Sequence, residues 1–301
     1  MAAAGRRGGP VSADAARARP RLLLPKNQLH RHRMNVPMTA HHGSNQPMIK
    51  ICGIRRLEDA MLAVDAGADA IGLLVGQEHR SPDFITPAEA RFIVSSLPDF
   101  IAPILVTHLT DPDGVCELIA ATGVQAVQIH GDMSPGDVGR VRQGRGDVRI
   151  FKAIHVTSSK DVTRGDDYRG CADGFVLDTI DAANDQIGGT GKTHDWKISR
   201  AIVERFQPEI PVLLAGGLNP ENVAAAIAAV RPAGVDVNSG TKGPDGFKDP
   251  LRVRTFVAAA RRALDAQKQA AATGRAILAH PINDFHSAPV PLIERSPARG
   301  R

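Results

Sequence analysis

The residues of this chain best suited to chemistry are a cysteine, an aspartate and two glycine-containing turns. Cys52 closes the run Lys50-Ile51-Cys52, and Asp178 closes Gly174-Phe175-Val176-Leu177-Asp178. Each therefore stands at the carboxyl end of a β-rich stretch. A thiol and a carboxyl on opposite sides of a ligand form a general acid–base pair suited to isomerisation. Gly216-Gly217 and Ser239-Gly240 follow two later β-rich stretches. Glycines let backbone N–H groups approach an anion and a serine hydroxyl adds a donor, which suits a phosphate. Taken singly, Cys52 is a small buried hydrophobe, Asp178 a cap and the glycines turn formers. Taken together they become a site. His130, in His130-Gly131-Asp132, ends another such stretch; it is a candidate substrate-binding residue and reads as a structural hydrogen-bonder rather than a catalyst. The run Gly188-Gly189-Thr190-Gly191-Lys192-Thr193 has Gln186 where a nucleotide P-loop needs its first glycine. It reads instead as a loop able to close over a ligand, with Gly189 and Thr190 facing it.

These residues need a scaffold that collects strand ends. From Met48 onward, short β-rich runs alternate with Ala-rich amphipathic stretches. Strands are predicted at residues 49–52, 70–75, 101–107, 126–130, 149–154, 174–178, 211–215 and 234–237. Helices are predicted at residues 57–66, 87–96, 113–121, 135–142, 195–205, 220–230 and 250–263. The fifth connection, at residues 160–169, is charged and broken by glycine. Thr86-Pro87 and Asn219-Pro220 each put a capping side chain before a first-turn proline. Eight such alternations predict an α/β fold, a (β/α)8 TIM barrel, with an open doubly wound sheet as the competing architecture. The first strand lacks the glycine fingerprint of the doubly wound dinucleotide fold. In an eight-strand ring, strands one and six are three places apart, so Cys52 and Asp178 face each other across the mouth. The loops after strands seven and eight are the usual phosphate position of this fold.

The chain has 301 residues, 43% hydrophobic and 23% charged, enough for a sizeable core. No apolar stretch reaches the roughly 18 residues of a membrane span, which argues against an integral membrane protein. Aromatic residues are 4%, which argues against a base-stacking nucleic-acid surface. The formal charge of +5 comes from residues 1–46, with eight Lys/Arg against Asp14 alone, so the rest of the chain is slightly acidic. Three widely spaced cysteines form neither a disulfide framework nor a metal cluster and fit a reducing cytoplasm. Three parts are expected: a disordered basic extension over residues 1–46, a barrel over 47–263, and a disordered tail over 264–301. A transit peptide is the alternative reading of the extension.

The ordered motifs resemble phosphoribosylanthranilate isomerase. They are Lys50-Ile51-Cys52-Gly53-Ile54, Leu57-Glu58-Asp59-Ala60, Gly67-Ala68-Asp69-Ala70, Val127-Gln128-Ile129-His130-Gly131-Asp132 and Leu177-Asp178-Thr179. Gly188–Thr193 with Asp195-Trp196, Leu214-Ala215-Gly216-Gly217-Leu218, Gly234-Val235-Asp236-Val237, Ser239-Gly240, Gly246 and Lys248-Asp249 continue the match, which spans residues 48–263. The resemblance implies a barrel isomerase without cofactor or metal, acting on a phosphorylated small molecule in tryptophan biosynthesis as a monomer or homodimer. It implies an Amadori rearrangement of N-(5-phosphoribosyl)anthranilate, with Cys52 as general base and Asp178 as general acid. Four positions depart from the family pattern. Asp83 stands where an arginine usually grips the anthranilate carboxylate, Lys242 replaces a glutamate, His194 a phenylalanine and Asn238 a serine. An acidic Asp83 is expected to repel the ligand, and Arg80 is the nearest substitute cation. Two other readings follow: a paralogue isomerising a different phosphorylated aminosugar, or a non-catalytic phosphate-ligand binding protein.

Overall fold

In the computed structural model, residues 47–77, 81–181, 186–187 and 193–279 are described. The expected N-terminal extension lies outside them. The strands are β1 (Met48–Ile51), β2 (Ala70–Leu74), β3 (Ala102–Thr107), β4 (Ala126–Ile129), β5 (Arg149–His155), β6 (Gly174–Asp178), β7 (Ile180–Asp181), β8 (Gln186–Ile187), β9 (Val212–Leu214) and β10 (Gly234–Val237). The helices are α1 (Leu57–Ala66), α2 (Pro87–Ser96), α3 (Pro112–Thr122), α4 (Pro135–Gly144), α5 (Trp196–Phe206), α6 (Val223–Val230) and α7 (Pro250–Ala279). Eight strands close a parallel barrel in the order β1-β10-β9-β6-β5-β4-β3-β2. The expected (β/α)8 barrel is therefore the architecture, and the doubly wound alternative falls.

Alternation along each strand sorts the side chains. Ile49, Ile51, Val127, Ile129, Phe175, Leu177, Val235 and Val237 point outward into the main core beneath the helices. Ala70, Ile104, Ala126, Phe151, Val176 and Leu213 form a separate apolar plug inside the barrel. Above that plug, toward the strand carboxyl ends, the interior turns polar.

The local signals at α2 hold. Thr86 accepts from the Glu89 N–H and Glu89 reaches back to Thr86, closing a capping box. The fifth connection, charged and broken by glycine, is two 3₁₀ turns, Ser159–Thr163 and Asp166–Tyr168, because glycine interrupts any longer helix. Two expectations need correction. Asn219 and Pro220 belong to a turn rather than to α6: the Asn219 side chain accepts from Glu221 and Asn222 N–H groups, and the helix starts at Val223. The last helix does not stop at Ala263 but runs to Ala279. Leu264 is buried in the core, Gln267 donates to the Pro232 carbonyl, and the Ala/Gln-rich sequence beyond has high helix propensity. Disorder is thus not the state of residues 264–279, and the remainder of that tail lies outside the described residues. The antiparallel pair β7–β8, after β6, was not expected.

Candidate active site

The polar interior is built by strand alternation. Lys50 and Cys52 share the inward face of β1 and its end, Gln128 and His130 that of β4, and Asp236 and Asn238 that of β10. Asp178 ends β6, three places from β1 around the ring. Register sets Lys50 beside Asp236. Gly72 on β2 makes room, since a Cβ there would sit 2.6 Å from Cys52 Sγ and 3.1 Å from Lys50 Cε.

Lys50 is the hub. Its ammonium, fully buried, donates to Asp236 Oδ2 and to Gln128 Oε1, each at 2.7 Å. Cys52 Sγ lies 3.7 Å from the same nitrogen. The Gln128 amide nitrogen is 3.0 Å from His130 Nδ1, and His130 Nε2 is 3.7 Å from Asp178 Oδ2. One polar chain therefore links Cys52 and Asp178. Burial pushes the Asp178 carboxyl up to about 7, against the Thr179 N–H, which donates to it at 2.7 Å and favours the anion. A carboxyl held partly protonated near neutrality is suited to proton donation. Burial also pushes the Cys52 thiol up to about 11, although the cations of Lys50 and Lys248 pull the other way. Cys52 thus rests as a thiol with two cations placed to favour its anion.

The two glycine-containing turns meet. Gly216 adopts a φ of +81°, packed against Thr179, and Gly217 follows at +64°. Ser239 and Gly240 lie in a 3₁₀ turn spanning Ser239–Thr241. Gly240 packs so closely on the Leu218 carbonyl that a side chain there would collide with it. The candidate phosphate residues from both loops are thereby brought side by side. His130 is buried within the network, as a structural hydrogen-bonder would be. Arg80, Gly189 and Thr190 lie outside the described residues.

Asp83 corrects the sequence reading. Its carboxylate is buried, and Lys242 Nζ stands 2.6 Å from Oδ2 and also contacts Oδ1. Asn238 Nδ2 donates to it at 2.9 Å. Lys248 Nζ in turn donates to the Asn238 carbonyl at 2.8 Å and to Oδ1 at 3.2 Å. Asp83 is not an unpaired charge facing a ligand: of the four departures from the family pattern, Asn238 and Lys242 are both partners of a third, Asp83. The fourth, His194, bridges Thr179 Oγ1 at 2.9 Å and Ser199 Oγ at 2.5 Å. It ties the start of α5 to the residue after Asp178.

Sequence reading used Lys50, Gln128, Asp236 and Lys248 only as parts of motifs. The available signal was spacing. Each of the first three lies two residues before a strand-end polar residue, hence on the same inward face. Among the described residues no cluster of His, Cys, Asp or Glu is arranged to hold a metal ion.

Fold and site together define a (β/α)8-barrel enzyme class, with a buried thiol, a buried carboxyl and two glycine-containing turns at the strand carboxyl ends. The model of the N-(5'phosphoribosyl)anthranilate (PRA) isomerase family matches residues 49–259, and the chain belongs to that family. It is 46% identical over 209 residues to N-(5'-phosphoribosyl)anthranilate isomerase 2 of Methanosarcina mazei, covering 69% of this chain and 92% of that one. The structure of phosphoribosyl anthranilate isomerase from Thermotoga maritima superposes with a TM-score of 0.64 at 34% identity, covering 72% of this chain and all of that one. A second solved structure, of a phosphoribosyl anthranilate isomerase in complex with reduced 1-(o-carboxyphenylamino)-1-deoxyribulose 5-phosphate, gives a TM-score of 0.60 at 31% identity, with the same coverage.

Proposed function

We propose that this chain is a phosphoribosylanthranilate isomerase of tryptophan biosynthesis, with Cys52 as general base and Asp178 as general acid. The observation that carries the assignment of roles is the shared buried network between two groups of opposite task on strands three places apart. Protonated Asp178 gives its proton to the ribose ring oxygen as the amine nitrogen's lone pair breaks the C1′–O bond. Cys52, as thiolate, then takes the proton from C2′. Those electrons neutralise the iminium and leave an enolamine, which becomes the aminoketose. Gly216, Gly217, Ser239 and Gly240 would hold the phosphate. No cofactor enters any of these steps.

Lys242 is the cation for the substrate carboxylate. Its side chain is 18% exposed at the mouth, and two of its three donors serve Asp83, leaving one. The pairing of Asp83 removes the feature that favoured a paralogue with a different aminosugar. Three free cysteines support a reducing cytoplasm, and no described helix is long and apolar enough to cross a membrane. A homodimer or monomer fits, since one similar structure is of monomers generated from the dimeric isomerase of Thermotoga maritima. The test is conversion of N-(5-phosphoribosyl)anthranilate by the purified full chain, with growth of a tryptophan auxotroph lacking this isomerase. No turnover by folded protein and no growth would refute the function.

A further inference from the structure

The steps above leave Lys50, Gln128 and His130 without a part in the chemistry. Their atoms permit one pattern of protons. Lys50 donates to Asp236 Oδ2 and to Gln128 Oε1 at 2.7 Å. An ammonium has three donors and no acceptor, so the oxygen of the Gln128 amide must face it. That turns the Gln128 NH2 group toward His130 Nδ1, 3.0 Å away. An amide NH2 only donates, so Nδ1 carries the lone pair and the proton of the neutral ring sits on Nε2. Nε2 is the atom that faces Asp178 Oδ2. The orientation of one buried lysine is thus passed, through two residues of one strand, to the ring beside the acid.

The ring must be neutral for this pattern to hold. It is buried, and His155, His108, Lys152 and Lys50 all act on it; burial first, then these neighbours, hold its pKa well below the usual imidazole range. His108 stacks 4.7 Å from it and His155 5.0 Å from it, centroid to centroid. Asp178 feels Asp236 and Lys50 in addition. A neutral N–H donor suits an acid in this place. An imidazolium would strip the carboxyl of its proton in advance, whereas a neutral ring meets the negative charge only as the proton leaves. The 3.7 Å separation is longer than a hydrogen bond, and catalytic contacts of this length commonly tighten as charge develops.

We propose that Gln128 is a positioning residue: oriented by Lys50, it fixes His130 as the Nε2–H tautomer, which donates to the Asp178 carboxylate formed when that acid gives up its proton. The proposal rests on the reading of Asp178 as general acid.

The test combines ¹⁵N NMR of the histidine side chains in the full chain, assigned with His130→Asn, and pH profiles of Gln128→Met and Gln128→Glu. Wild type should show His130 neutral with the proton on Nε2. Gln128→Met should release the tautomer and lower kcat roughly tenfold to a hundredfold, with KM within about twofold. Gln128→Glu supplies a carboxylate that accepts from Nδ1–H and charges the ring. The limb of kcat/KM near pH 7 should then move down by about one unit. A proton on Nδ1 in wild type overturns the proposal without needing any variant to fold. An unmoved limb in folded Gln128→Glu does so too. Near-normal kcat in Asp178→Asn overturns the acid assignment, and the proposal with it, while leaving the tautomer as described, so the two failures are distinguishable.

Discussion

Lys50–Asp236 and Lys242–Asp83 are both short lysine–carboxylate pairs at the carboxyl end of the barrel, yet their surroundings differ. The first lies inside the ring, with both side chains almost wholly buried, and joins adjacent strands 186 residues apart in sequence. Both of its members belong to motifs shared with the family. The second lies at the mouth, joining the loop after β2 to the loop after β10, with Lys242 partly open to solvent. Both of its members depart from the family pattern. The central pair has little freedom, because Lys50 also orients Gln128 and stands beside Cys52. The outer pair has only to stay neutral and, in the proposed function, to spare one Lys242 donor for the substrate. Its polarity is opposite to that of the arginine and glutamate which the resemblance sets at these two places.

The largest expected effects fall on the chemistry served by the central pair. Cys52→Ala and Asp178→Asn should each lower kcat by about 10²–10⁴-fold with little change in KM, measured by steady-state kinetics. A near-normal kcat in either would dissolve the distinction between a catalytic centre and a binding rim. The pH profile sharpens the same point. In the proposed roles the active form needs Asp178 protonated and Cys52 ionised, and with the two groups near 7 and near 11 that is a minority state. kcat/KM should climb about tenfold per pH unit up to about 7 and then stay level toward 11. A fall between pH 7 and 9 would contradict these protonation states.

Stability separates the pairs next. Lys50→Met leaves Asp236 charged and buried and should cost about 3–5 kcal/mol in denaturant unfolding. Lys242→Met leaves Asp83 its bond from Asn238 and should cost less, roughly 1–2 kcal/mol, while raising KM more than it lowers kcat. Asp83→Arg should not help the enzyme, because it sets a guanidinium against Lys242. We expect a loss of about 1–3 kcal/mol, with most of it recovered in Asp83→Arg/Lys242→Glu. Failure of the double variant to recover would mean that the two departures are independent.

One further effect is a gain. Asp178 is raised in the folded state, so the native protein binds more protons than the unfolded chain between about 4 and 7. Its contribution to stability is full below that window and is lost as pH rises through about 7. Asp178→Asn removes the cost of an ionised buried carboxylate and should unfold at higher temperature than wild type at pH 8, but not at pH 4.

Much of this protein was legible in its sequence, for a local reason. Strand alternation, capping residues and turn glycines act within a few residues. They determined the eight-strand barrel, the end of β6 at Asp178, the cap of α2 at Thr86 and the position of Cys52 at a strand end. The longer reach of α7 was also written locally, in its Ala-rich composition, although the prolines beyond it suggested an earlier stop. What only the tertiary structure decided depends on groups far apart in the chain. Asp83 read alone is a repelling carboxylate, and its pairing depends on Lys242, 159 residues away, brought near by barrel closure. Lys50 read alone is a charge in an apolar strand, and its role as a hub exists because β1 lies beside β10 and reaches β4 across the interior. The pKa values of Cys52 and Asp178 have the same origin. Desolvation and the field of neighbouring charges are properties of an enclosed volume, and no stretch of sequence encloses one by itself.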